Sequence, residues 1–142
     1  MQSKRTGPVT SQEFLKRLVE FHGHLGPFLV LGVKAGLLAN SLLGKNCFEM
    51  KAIVVTKPSP PTSCFVDGVQ FVTGCTMGKR NIRLRKGRST SAVFLKDGRT
   101  VRLRVRDEVL ESLNKIASED ESHKESLRLL SCSASRLFKV EK

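Results

Sequence analysis

In "TSQEFLKRLVEFHG" the apolar residues at 14, 15, 18, 19 and 21 recur at three and four positions, the spacing of one helical face, and predict a helix over about 11–21. Thr10 or Ser11 stands where an N-cap hydroxyl is wanted. Gly23 suits the left-handed residue that ends a helix, and Pro27 suits the first turn of the next. Leu29, Val30, Val33, Leu37, Leu38 and Leu42 then extend the same period, so a second, largely buried helix is expected over about 27–43, closed by Gly44.

The period changes in "FEMKAIVVTK", which alternates and ends in β-branched residues, a strand stopped by "PSPP" at 58–61. Residues 62–72 read as a short helix entered through Thr62 or Ser63, although Gly68 is a poor residue for a helix interior. Three strands follow at 82–85, 91–96 and 99–106. The last two are joined by Asp97-Gly98, a tight-hairpin sequence. Acids at the start of "DEVLESLNKI" and of "SEDESHKESLRLLS" complement helix N-termini and predict two C-terminal helices. The expected order is α-α-β-α-β-β-β-α-α, an α+β domain with helices packed on a sheet. At 142 residues the chain suits one domain over 1–142, with 107–142 as its C-terminal helical extension.

Charge divides this chain. The net charge is +12, and residues 79–106 hold eleven Lys or Arg against Asp97 alone, whereas 107–125 hold seven acids against Lys115 and Lys124. Arg83, Arg85, Arg102, Arg104 and Arg106 alternate with Ile82, Leu84, Val101, Leu103 and Val105, which predicts an outward arginine face and an inward apolar one. Nucleic acid, an acidic protein partner, or the chain's own 107–125 helices would answer that charge. With no Tyr or Trp in the chain and only Phe94 in the basic stretch, the stacking platform of single-strand readers is missing.

No apolar run approaches the roughly 20 residues that cross a bilayer. The N-terminal stretch lacks a signal peptide's apolar segment, so a soluble cytoplasmic protein with free Cys47, Cys64, Cys75 and Cys132 is expected.

The candidate chemistry lies in "FHGHLGPF". Inside one helix His22 and His24 would point about 200° apart, but where a helix stops at Gly23 their imidazoles can converge on one cation. Helix capping or ordinary hydrogen bonding is the simpler reading of the pair. Cys64 and Cys75 add thiolate to imidazole, the donor mixture that zinc prefers, although their spacing follows no zinc-finger rule. Cys47 and Cys132 read as packing residues. Asp67 reads first as a cap of the short helix and second as an acceptor that orients a histidine. Gln70, Thr73 and Thr76 either contact a ligand or satisfy the loop "TGCTMGKRN", itself either an anion-binding nest or a plain turn.

"FHGHLGPFLVLGVKAG", then Cys64 three residues before "DGVQFVTGCTMGKRNI", then "KGR", resembles the FmdE family of formylmethanofuran dehydrogenase subunits over roughly residues 12–105. Its members look like "HGHxCPGxxLG…CxxDAIQxxTGCTxGKGN". The resemblance implies an α+β fold with a mixed sheet, a homodimer, and a bound metal, usually zinc, near these motifs. By position, His22, His24, Cys64 and Cys75 match the family's ligand-bearing residues. It further implies an accessory or metal- and cofactor-handling role for a molybdenum or tungsten enzyme. Gly26 stands where many members have Cys, and the Cys-rich C-terminal ribbon of some members is absent, which argues against redox chemistry by a cysteine pair in that loop. The rival reading is a metal-free basic module that binds nucleic acid or an acidic protein through residues 79–106.

Overall fold

The computed structural model describes residues 11–142. Thr10 and the N-terminal stretch discussed above lie outside the described residues. Eleven elements follow in order: α1 (Gln12–His22), α2 (Pro27–Leu43), β1 (Lys51–Thr56), α3 (Cys64–Thr73), β2 (Ile82–Lys86), β3 (Ser91–Lys96), β4 (Arg99–Val105), α4 (Asp107–Asn114), α5 (Glu119–Ser131), α6 (Ala134–Leu137) and β5 (Phe138–Glu141).

The predicted start of α1 and the break between α1 and α2 are built as the residue types require. The Ser11 hydroxyl accepts from the Phe14 amide at 3.1 Å, which satisfies one donor that has no partner within the helix. Gly23 closes α1 at φ 115°, and Pro27 opens α2. The chain turns sharply between them, with the two helix axes at 117°. No single described helix is long and apolar enough to cross a membrane.

The sheet has the order β2-β1-β3-β4-β5. β1 and β2 run parallel, joined through α3, and every other pair is antiparallel, which makes the sheet mixed. Asp97 and Gly98 both take positive φ, 54° and 76°, the backbone of the tight turn expected there. One face of the sheet, with Ala52, Val54, Ile82, Ala92, Phe94, Leu103 and Phe138, buries against the helical layer. α2 lies at the centre of that layer and is buried over most of its length, packed on α3, α5 and the sheet.

Gly68 weakens α3 as a helix but is what lets it pack. A Cβ at Gly68 would fall 2.2 Å from the Leu29 carbonyl oxygen, and one at Gly32 would fall 2.0 Å from that of Phe65. The two helices therefore touch backbone to backbone, closer than any side chain permits.

α2 has no basic residue in its last turn. The β3–β4 hairpin supplies the cations: Lys96 Nζ donates to the Leu43 carbonyl at 3.1 Å, and the Arg99 guanidinium donates to Leu42 at 3.1 Å and Leu43 at 3.0 Å. These groups satisfy carbonyls at the negative end of the helix dipole. Arg99→Ala should lower stability by about 1 kcal/mol in urea unfolding, because two charge-assisted bonds leave and Lys96 keeps only one carbonyl covered.

Two expectations need correction and one needs qualifying. The segment 107–142 is not purely helical: after α6, β5 returns to pair with β4, Val105 with Phe138 and Arg102 with Glu141. "FKVE" is too short and too charged to announce a strand, and Phe138, 1% exposed, is held there by the core. Leu84 does lie on the inward face, in register with Val54, but is 40% exposed, because the helical layer stops short of the edge strand β2. Arg106 leaves the strand to become the N-cap residue of α4, with its Nε on the Ser135 carbonyl at 3.0 Å.

Candidate functional site

α1 docks on α3 through aromatic edges, Phe14 on Phe71 at 5.5 Å and Phe21 on Phe71 at 5.6 Å between ring centroids. This docking carries His22, the last residue of α1, onto the first turns of α3. There the His22 Nδ1–H donates to Asp67 Oδ2 at 2.6 Å, and the His22 side chain is only 8% exposed. Asp67 is therefore a histidine partner and not a cap, the reading that sequence ranked second. The Gln70 amide lies 3.5 Å from its other oxygen. With Nδ1 committed to a carboxylate, Nε2 is the imidazole atom left to bind something else, and the ring orientation is set.

Gly23 turns the chain so that the His24 ring lies beside His22, with centroids 5.0 Å apart. His24 itself is exposed. At Gly26, the absent Cβ would lie 3.2 Å from His24 Cε1, so this position faces the same small space. Cys64 opens α3 one turn before Asp67. Burial, and then the Asp67 charge, push its thiol above the usual cysteine range.

Cys75 stands elsewhere. The ten residues of α3, Cys64–Thr73, make about 15 Å of helix, so Cys64 and Cys75 stand at its opposite ends. Cys75 is fully buried, its thiol donates to the Met50 carbonyl at 3.3 Å, and burial raises its pKa. Its neighbour is Cys47, which packs against Gly74 and which sequence reasoning had left aside. Of the four predicted ligand residues, the structure sets the His22 and His24 rings side by side, with Asp67 on His22 and Cys64 one turn before Asp67, and stands Cys75 at the other end of α3. Among the described residues no three His, Cys, Asp or Glu side chains already stand as a set able to hold a metal ion.

The loop after α3 resolves as a self-satisfied turn. Met77 N–H donates to Gln70 Oε1 at 3.0 Å, Thr76 N–H to Asn81 Oδ1 at 2.8 Å, and Lys79 N–H to Thr76 Oγ1 at 3.3 Å. Thr73 bonds the Val69 carbonyl and accepts from the Cys75 amide. Amides engaged in this way do not form an anion-binding nest.

Comparison with known proteins agrees with this architecture. Residues 21–139 match the FmdE family, described as "Molybdenum formylmethanofuran dehydrogenase operon". A "Probable S-adenosyl-L-methionine-binding protein" of Archaeoglobus fulgidus is 34% identical over 130 residues, covering 82% of this chain. The chain spans only 36% of that relative's length. The crystal structure of a tungsten formylmethanofuran dehydrogenase FmdE-like protein from Syntrophus aciditrophicus superposes with a TM-score of 0.65. That match is 19% identical and covers 92% of this chain and 70% of the other, a likeness of fold. With the family match spanning most of its length and this fold beneath it, the chain belongs to the FmdE family.

Proposed function

We propose that this protein binds one transition metal ion, zinc by its donor chemistry, through His22 Nε2, His24 and Cys64, with Asp67 orienting His22. The observation that carries this reading is the partly buried 2.6 Å His22–Asp67 pair with a second imidazole next to it. Two imidazoles bound to one tetrahedral ion at about 2.0–2.1 Å have ring centroids about 5 Å apart. The two rings here meet that separation at 5.0 Å. Two imidazoles and one thiolate suit zinc and leave a fourth position for water or a ligand. An ion with an open position supplies Lewis acidity.

Cys75 is left out of the proposed set for the reasons of placement given above. On the same reading the protein acts as a cytoplasmic homodimer in an accessory, metal- or cofactor-handling role beside a formylmethanofuran dehydrogenase-like enzyme. Family membership supports that role.

The decisive measurement is elemental analysis of protein purified without a histidine tag under reducing conditions. About one zinc, nickel or iron per chain is expected. Metal-free protein that takes up no added zinc overturns the reading.

The pH dependence has a definite sign. Burial and Asp67 hold the Cys64 thiol protonated above the ordinary range, and a ligating sulfur must lose that proton. Zinc affinity should therefore keep rising with pH beyond the point at which a solvated thiol has finished titrating. Competition with a chelator across pH would show this, and a flat profile would remove Cys64 from the ligand set.

A further inference from the structure

The outer face of the sheet carries a pattern that the metal site does not use. Register places Arg83, Ile53, Val93 and Arg102 in one row across β2, β1, β3 and β4, and Arg85, Val55, Ser91 and Arg104 in the next. Lys51, Leu95 and Thr100 begin a third row. Two columns of arginine thus flank an aliphatic strip of Ile53, Val55, Val93 and Leu95. That strip is half-buried and belongs to no part of the core.

No described element covers this face. The helical layer packs on the opposite side, and α5, which carries most of the acids once expected to answer the arginines, packs on α2 there. Two of its four acids are matched within the helix, Asp120 with Lys124 and Glu125 with Arg128. Among the described residues, the acids that reach the arginine face are Asp107, 3.6 Å from Arg104, and Glu141, 3.9 Å from Arg102, both in solvent-exposed pairs of little strength. Arg83 and Arg85 are exposed on the edge strand.

We propose that this face docks an amphipathic helix of a partner protein, apolar along one stripe and acidic on both flanks. Three strand spacings of about 4.8 Å put the arginine columns about 14 Å apart, a channel that admits a helix about 10–12 Å across. Apolar residues of the helix would cover the strip, and its Asp or Glu would meet guanidinium groups, which pair carboxylates in bidentate fashion. A hollow of about 230 Å³ between Ile53, Leu95, Lys51, Arg80 and Arg83 offers a socket for one apolar side chain beneath a cationic rim.

Charge complementarity selects this occupant. A second copy of the chain laid on the same face would set arginine columns against arginine columns. Nucleic acid would satisfy the arginines but gives the aliphatic strip nothing to do, since the face has no aromatic residue on which a base could stack.

The test is fluorescence anisotropy with three probes: a designed peptide of about 15 residues with leucines on one helical stripe and glutamates on both flanks, a scrambled peptide of the same composition, and a short RNA duplex. The proposal expects the first to bind at least tenfold more tightly than the other two. It also expects that affinity to fall at least tenfold both in R83Q/R102Q and in V93S, with circular dichroism confirming that each variant is folded. Equal binding of the scrambled peptide, tighter binding of the duplex, or no binding of any probe overturns it. So does sedimentation showing a dimer that V93S dissociates, which would give the face to a second copy.

Discussion

Gly68→Ala should destabilise the protein by about 3 kcal/mol, although alanine is the better helix former by roughly 1 kcal/mol. The added methyl would fall 2.2 Å from the Leu29 carbonyl oxygen and 2.6 Å from the Val33 amide nitrogen, backbone atoms that no rotamer change can move aside. α3 would have to lift from α2 and open the contact along its length. Gly32→Ala meets the Phe65 carbonyl at 2.0 Å and should cost as much. Because both variants break one contact, the double variant should cost less than the sum of the two. Gly78→Ala, with nothing within 4 Å, is the control and should be neutral. Urea unfolding measures all four, and a stabilised Gly68→Ala would mean that the helices do not meet backbone to backbone.

The second large effect concerns the metal. His22→Ala and Cys64→Ala should each reduce bound metal to a trace at micromolar concentrations, since each removes one of three proposed ligands. Asp67→Asn keeps the size of the side chain but removes the carboxylate that receives the His22 Nδ1 proton, and should weaken affinity by about 10- to 100-fold. Cys75→Ser should leave metal content unchanged, because its thiol faces the Met50 carbonyl at the far end of α3. Titration with zinc against a competing chelator distinguishes these cases. Full metal content in both His22→Ala and Cys64→Ala would end the proposal, and loss of metal in Cys75→Ser would return that residue to the site.

The His22–Asp67 pair also clamps α1 to α3, so a stability change by itself says nothing about ligation. Metal affinity, measured on variants that remain folded, separates the two roles.

Sequence by itself determined the elements whose signals are local. α1, α2 and the β3–β4 hairpin follow from periodicity, from Ser11, Gly23 and Pro27 at the helix ends, and from Asp97-Gly98 at the turn, because caps and turns are settled by residues a few positions apart. The FmdE motifs were equally readable, since they lie in two short runs of chain.

Tertiary structure decided what depends on distant partners. β5 exists because β4 offers an edge and the core takes Phe138, not because "FKVE" prefers a strand. Gly68 is tolerated within a helix because α2 presses on it. Asp67 became a histidine partner, and Cys75 left the proposed ligand set, because α3 stands between the two cysteines as a rigid spacer while α1 folds His22 back onto its first turns. Sequence carried the donor types, but their separation in space is a property of packed helices, and packing is long-range.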